Sequence, residues 1–227
     1  MTIVRVLALV SLGVVFITPN VAAQSLSRYR TYALESNLTS IVKASGAREA
    51  DLKTLHDRPA RIQELEWRAT YVSPGNAVPD PVRSILFTFF DDQLYRMVVT
   101  YDHDRMEGLT DGDVLDSVSA AYAALPMQAQ ANTTVSLDMP ANTTVVAQWD
   151  DGSSMLSLVR AGYSREFQLV LISKPLSARA RAATKEALRL DTKEAPQREL
   201  DQRSKALMDI RVAQEKARTV NKAAFKP

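Results

Sequence analysis

The 227-residue chain contains no cysteine. It therefore has no disulfide bonds and no thiol nucleophile, and its stability must come from its core. It has only two histidines, His56 and His103, and seven glycines. Two histidines this far apart make no zinc motif, and the sequence has neither a Gly-x-Ser-x-Gly elbow nor a glycine-rich phosphate loop. These absences argue against the common nucleophilic and nucleotide-dependent enzymes, and we expect no cofactor.

Charge is scarce at the N-terminus, where Arg5 is the only charged residue in the first 23. An apolar run over 6–17 is followed by Pro19 and by the small residues that end at Ala23. The run is too short to span a bilayer, since a spanning helix needs about 20 apolar residues. The pattern predicts a secretory signal peptide over 1–23 with cleavage after Ala23. Together with the missing cysteine, it predicts a bacterial protein exported to the periplasm or outside the cell, neither lipidated nor membrane-spanning.

The remaining charge is uneven along the chain. Residues 24–174 contain 14 basic and 19 acidic side chains, whereas 175–227 contain 13 basic and 7 acidic ones. An exported chain does not meet nucleic acid, so we expect no nucleic-acid partner for the basic tail. Helices lying on membranes place Trp, Phe or Leu on their apolar face, whereas the apolar stripe of the tail is mostly Ala, Val and Leu, and Phe225 stands beyond it. We expect it to dock on the body of the protein, on a partner or on another copy of itself.

Six segments carry the alternating apolar pattern or the β-rich composition of strands. They are 63–71, 82–90, 93–101, 143–149, 153–162 and 166–173. Helical patterns over 29–45 and 114–125 precede the first three and the last three strands, respectively. A double Asp turns one hairpin in each group, at Asp91-Asp92 and at Asp150-Asp151.

This order predicts an α+β fold made of two αβββ units, 24–107 and 108–174, which follow the signal peptide. Joined together, the units would form one antiparallel sheet with both helices on one face and the opposite face partly exposed. The residues from 175 to 227 are expected to form a basic helical extension. Its pattern predicts two helices, 176–190 and 197–222, interrupted at Pro196. The second helix has a narrow apolar stripe, formed by Leu200, Leu207, Ile210, Ala217 and Val220.

The acidic run DHDRMEGLTDGD, residues 102–113, has two interpretations. As a calcium loop it would offer Asp102, Asp104 and Asp113 as ligands, but an EF-hand needs an oxygen ligand at position 5 and a glycine at position 6. This run has Met106 and Glu107 there. As a helix entrance, it carries Thr110 three residues before Asp113, the spacing of a capping box. We favour the helix entrance.

The segment Gly108-Leu109-Thr110-Asp111-Gly112-Asp113-Val114 resembles the helix start of BamE-like and β-lactamase-inhibitor-protein-like (BLIP-like) modules. The repeated αβββ order is similar to theirs as well. The resemblance implies tandem modules that bind a partner through the sheet face and are not enzymes. The sequence departs from those families in three ways: Leu125-Pro126 lacks a preceding glycine, the lipid-bearing cysteine of BamE is absent, and the basic helical tail belongs to neither.

Four strand aromatics are candidate partner-binding residues on the open sheet face. They are Trp67, Tyr71, Tyr95 and Trp149. We therefore expect a non-catalytic protein-binding or assembly module whose partner is another exported or envelope protein. Two alternatives stay open: a small hydrolase that uses His56 and Asp57 as a base and its orienting carboxylate, and a calcium-binding protein that uses 102–113.

Overall fold

A computed structural model describes residues 24–69, 80–126 and 139–224 of the chain. The predicted signal peptide and Tyr71 lie outside these residues. The strands are β1 (Arg28–Tyr29), β2 (Tyr32–Ala33), β3 (Lys53–His56), β4 (Ile62–Arg68), β5 (Val82–Phe90), β6 (Gln93–Tyr101), β7 (Thr143–Asp150), β8 (Ser154–Ala161) and β9 (Phe167–Ser173). The α-helices are α1 (Leu38–Ser45), α2 (Asp111–Tyr122) and α3 (Lys174–Ala224).

The predicted hairpin of β5 and β6 is confirmed to the residue. Its two-residue turn consists of Asp91 and Asp92, with φ angles of 45° and 63°. Tight hairpin turns need positive φ at both central positions, and aspartate tolerates this conformation better than most residues. Phe90 consequently faces Gln93 across the turn, in the register of the two strands.

Seven strands form one antiparallel sheet in the order β3-β4-β5-β6-β9-β8-β7. Each half of the chain contributes a meander, and the halves join where β6 pairs with β9. This pairing is centred on Val98 opposite Val170. The predicted α+β architecture, with an antiparallel sheet and a C-terminal helical extension, is confirmed.

The first unit differs from the prediction in two places. The helix predicted over 29–45 begins only at Leu38, because Asn37 caps it by accepting a hydrogen bond from the Ser40 amide at 2.8 Å. The residues before the cap form the β1–β2 hairpin. The segment expected to be a connection contains β3, which adds a seventh strand at the edge of the sheet. The strands β1, β2 and β3 are each too short to show an alternating apolar pattern in the sequence.

The main core lies on one face of the sheet, between the sheet and the helices α1 and α2, which were predicted to share a face. Both helices contribute buried side chains to it, Ile41 from α1 and Val114 and Val118 from α2. The sheet supplies the larger part of this core. Its fully buried members include Leu65, Phe87, Phe89, Leu94, Met97, Trp149, Leu156, Leu158, Leu169 and Leu171.

The opposite face was expected to be partly exposed, and this expectation is wrong for its central residues. Val98, Val159, Val170 and Ile172 form a second buried cluster there. Beside it, a third cluster lies beneath the first turns of α3. Its members are Ile62, Phe90, Tyr95, Leu176 and Ala180. The start of the C-terminal helix therefore covers sheet surface that the two αβββ units leave open.

The extension is one helix and not two, so the predicted interruption at Pro196 is wrong. The 51 residues of α3 include Pro196, and a helix of that length extends for about 76 Å. Pro196 cannot donate to the carbonyl of Thr192, and the Arg198 guanidinium donates to the neighbouring Asp191 carbonyl at 3.0 Å. A proline weakens a helix interior without forbidding it, and both flanks are rich in good helix formers. No helix in the described part of the chain combines the length and the apolar character needed to cross a membrane.

Candidate functional site

The predicted aromatic binding surface is not present as such. Trp149 is 1% exposed, and its indole N–H donates to the Ala124 carbonyl at 3.1 Å. Tyr95 is 8% exposed and lies beneath α3. Trp67 is half-buried against the main core, and Tyr71 is outside the described residues. Trp149 and Tyr95 are therefore core residues. The sequence could not show this, because it does not reveal that α2 and α3 cover them.

The acidic run 102–113 divides into two local structures. A carboxylate oxygen of Asp102 accepts from the Arg105 amide at 3.2 Å, at the start of a 3-10 turn over Asp104–Met106. Further on, Thr110 caps α2 and forms the reciprocal capping box with Asp113, as the Thr-x-x-Asp spacing predicts. The hydrogen bonds from Thr110 lower the pKa of the Asp113 carboxyl.

The three candidate calcium ligands are thus engaged in separate parts of the run. Asp102 serves the 3-10 turn and Asp113 serves the cap of α2, while Asp104 is the first residue of the turn. Within the described residues, no group of three His, Cys, Asp or Glu side chains is placed to hold a metal ion.

The same run does line a small cleft of about 160 Å³ at one end of the sheet. The opposite wall comes from the end of β8 and the start of β9. The lining residues are Asp102, His103, Met106, Glu107, Gly108, Leu109, Arg160, Arg165, Glu166 and Phe167.

Ion pairs account for much of the charge around this cleft. The Arg160 guanidinium binds Asp111 at 2.5 Å and lies over the Phe167 ring at 4.5 Å. Glu166 binds Arg83 through both oxygens and accepts from the Ser164 hydroxyl at 3.0 Å. The Nε of Arg160 is buried and has no hydrogen-bond partner among the described residues. The described lining of the cleft contains no serine, threonine, cysteine or lysine side chain that could act as a nucleophile beside His103.

His56 and Asp57 lie at the other end of the sheet from this cleft. His56 ends β3, and β4 begins at Ile62 opposite Phe90, the end at which β5 turns into β6. The Asp57 side chain is 81% exposed and forms an ion pair with Arg61 at 3.7 Å. The structure therefore does not bring this pair to the cleft.

The two double-Asp turns serve different connections. The Asp91-Asp92 turn joins β5 to β6, the last two strands of the first unit. The Asp150-Asp151 turn joins β7 to β8, the first two strands of the second unit. Asp151 accepts from the amides of Ser153 and Ser154 at 3.0 and 2.6 Å. Asp150 forms an ion pair with Lys174, and this cation lowers the pKa of the Asp150 carboxyl. The turns are similar in sequence because tight turns favour aspartate.

A long series of exposed apolar side chains lies on α3. Every residue from 195 to 224, a segment we call the distal helix, is exposed. Its exposed large apolar side chains are Leu200, Leu207, Met208, Ile210, Val212 and Val220. The last ion pair between α3 and the sheet domain joins Glu194 to Arg58, directly before the distal helix begins. The apolar stripe predicted from the sequence is therefore a solvent-facing feature.

No protein family, no curated protein and no solved structure matches the chain. The resemblance of residues 108–114 to BamE-like and BLIP-like modules stays a prediction.

Proposed function

We propose that the chain is an exported, non-catalytic binding or assembly module whose partner surface is the distal helix. The partner we propose is another exported or envelope protein. The exposed apolar side chains of the distal helix are the observation that supports this proposal most directly.

A helix of this kind is expected to have low stability when it has no packing neighbour. Isolated helices draw little stability from propensity alone, and most helices in proteins depend on packing of an apolar face. Six large apolar side chains along 30 exposed residues represent surface that association would bury. Exposed apolar surface of this kind is typical of interaction sites.

Export is supported by the N-terminal pattern and by the absence of cysteine. The non-catalytic part of the proposal is supported by the cleft, where Glu166 and Arg160 are each engaged in an ion pair with a residue outside the lining. The distance between His56 and that cleft, at opposite ends of the sheet, agrees with it.

Site-specific photocrosslinking in the producing cells tests the partner surface. A photoreactive residue in place of Leu207 should give discrete adducts with an exported or envelope protein. Tyr163 is the matched control, because it is 91% exposed but lies on the β8–β9 turn of the body. Adducts at position 163 with none at 207 would contradict the distal helix as the partner surface, and turnover of a substrate by the purified protein would contradict the non-catalytic proposal.

The predicted export is tested separately by the intact mass of the protein recovered from the periplasm or the medium. We expect a mature chain that begins at Gln24. A protein that keeps residues 1–23 and stays inside the cell would contradict export.

A further inference from the structure

The distal helix has an apolar stripe with the spacing of a coiled coil. Six residues recur at alternating intervals of four and three: Ala206, Ile210, Ala213, Ala217, Val220 and Ala224. We call this set the distal stripe. Helices that supercoil around each other place apolar residues at this 3.5-residue average spacing. Leu200 and Leu207 widen the stripe on one side, and both are exposed.

The distal stripe does not continue the face of α3 that contacts the sheet. Leu176, Ala180, Ala183 and Ala187 pack toward the body. At 100° per residue, the centre of the distal stripe is rotated by about 110° around the helix from the centre of that face. The two faces therefore serve different neighbours, and the body of the same chain is not the neighbour of the distal stripe.

The charges beside the stripe indicate which neighbour fits. Asp209 and Lys216 flank the stripe on its other side, one heptad apart, and neither forms an ion pair among the described residues. We propose that two copies of this chain associate through the distal stripe as an antiparallel helix pair. The inference deepens the proposed function, on which it rests for the assignment of the distal helix as the partner surface.

One alignment of the two helices pairs the four central apolar residues of the stripe and the two flanking charges of each copy. It places Ile210 opposite Ala213 of the second copy and Ala206 opposite Ala217. Asp209 of each copy then faces Lys216 of the other, so two ion pairs close the interface on the same side. Flanking charges of this kind set orientation and register in helix pairs. Moving the second helix by one heptad toward its C-terminus would bring the two Asp209 side chains together, which like-charge repulsion disfavours.

Net charge also favours the antiparallel orientation. Residues 199–211 contain three acidic and three basic side chains, whereas 212–224 contain one acidic and three basic ones. A parallel pair would place the two basic halves side by side. The antiparallel pair places each basic half against a neutral half, over an overlap of 199–224 that is about 39 Å long. It also leaves the two bodies at opposite ends, because the last body contact of α3 is at Glu194.

Sedimentation velocity on the purified protein, over a range of concentrations, measures the association. We expect wild-type protein to be a dimer and the I210D variant to dissociate at least tenfold more readily. M208D is its matched control, because Met208 is exposed by 69% and Ile210 by 54% on the same helix, but Met208 lies outside the stripe. A wild-type protein that is monomeric throughout, or an M208D variant that dissociates as readily as I210D, would overturn the proposal.

Charge reversal tests the orientation. D209K alone and K216D alone should each weaken the dimer, because each variant places like charges opposite one another. An equimolar mixture of the two variants should recover association, since each copy then offers the charge that the other lacks. D201K is the control, because Asp201 lies on the far side of the helix from the stripe. A mixture that associates no better than the single variants would overturn the antiparallel register.

The absence of cysteine permits a direct distance measurement with one introduced thiol. Spin labels on the K222C variant should be at least about 30 Å apart in the antiparallel pair. In a parallel pair they would be about 20 Å apart, because residue 222 lies on the far side of each helix from the stripe, and that result would overturn the proposal. A monomeric protein that still crosslinks an envelope protein through position 207 would overturn the dimer and leave the proposed function standing. A dimer with no other partner would support the dimer and count against the envelope partner.

Discussion

At the scale of single residues, short polar side chains determine where helices and turns begin. Asn37 and Thr110 each accept a hydrogen bond from a backbone amide three residues later, and each stands immediately before a helix. Asp150 and Asp151 act similarly in the second hairpin turn, where they accept hydrogen bonds from backbone amides two or three residues later. These contacts are local in sequence, and that is why the capping box at Thr110 could be predicted from its spacing alone.

The cap of α2 can be tested with Thr110. We expect T110A to lower the free energy of unfolding by about 1 kcal/mol, because the Asp113 amide loses its acceptor at the helix start. Urea denaturation measures the change. T110S keeps the oxygen and should restore most of the loss, so equal effects of the two substitutions would argue that the methyl group and not the cap is responsible.

The ion pair of Asp150 with Lys174 gives a pH dependence at the same scale. Lys174 lowers the pKa of Asp150 below its ordinary value of 3.8. The ion pair therefore stabilises the fold above pH 3.8, and its contribution disappears as the pH falls through the lower, folded-state pKa. A double-mutant cycle of D150N and K174Q should give a coupling of about 0.2–1 kcal/mol at pH 7.

The coupling should decrease as the pH falls below 3.8, because Asp150 is protonated first in the unfolded protein and then, at its lower pKa, in the folded protein. D150N preserves the carbonyl oxygen that accepts from the Gly152 amide at 2.7 Å, so the cycle isolates the charge. A coupling that stays the same while an NMR titration shows the Asp150 carboxyl becoming protonated in the folded protein would show that the pair does not act through the Asp150 charge.

At the scale of elements, the strands were predicted well and two of the helices were not. The patterns over 82–90 and 93–101 predicted the bounds of β5 and β6 because two β-rich runs flank a short polar pair that turns the chain. The pattern over 29–45 was misleading, since Leu34 is buried from an irregular segment and only Leu38 onward is helical. Buried positions are apolar whether the backbone is helical or irregular, so the apolar spacing over 29–45 did not distinguish the two.

Pro196 offers a test at the element scale. We expect P196A to strengthen α3 locally, since a proline costs a helix interior about 3 kcal/mol relative to alanine. Hydrogen exchange should show slower exchange of amides on both sides of position 196. The amides of β5 and β8 should be unaffected, because Pro196 is exposed and lies outside the buried clusters. Q197A is the control for an exposed substitution at the neighbouring position, and an equal effect of Q197A would exclude the proline as the cause.

At the scale of the whole molecule, the two αβββ units share one sheet and one main core. Val98 of β6 and Val170 of β9 face each other at the centre of the strand pair that joins the units, and Val170 is completely buried. Neither unit could expose this strand edge alone without leaving backbone groups unpaired. Residues 24–187 should therefore unfold as one cooperative unit.

Native-state hydrogen exchange tests this cooperativity. The slowest amides of β5 and β8, one strand from each unit, should report the same free energy of opening. In the dissociated I210D variant, amides of the distal helix should exchange at a much lower free energy, because none of its residues is buried within one chain. Two distinct values for β5 and β8 would show that the units unfold separately.

The sequence by itself determined the features that depend on neighbours within a few residues. These include the hairpin turn at Asp91-Asp92, the capping box at Thr110 and Asp113, most of the strands and the helical character of the tail. Local spacing carries them because a turn, a cap or a strand period involves contacts only a few positions apart.

Only the tertiary structure decided what depends on residues far apart in the chain. It paired β6 with β9, placed the first turns of α3 over Tyr95, and buried Trp149 beside α2. These contacts turned two expected binding residues into core and left the distal helix as the exposed apolar surface. The physical reason is that burial is set by whichever element covers a side chain, and a strand's own pattern shows that a face is apolar without showing what covers it.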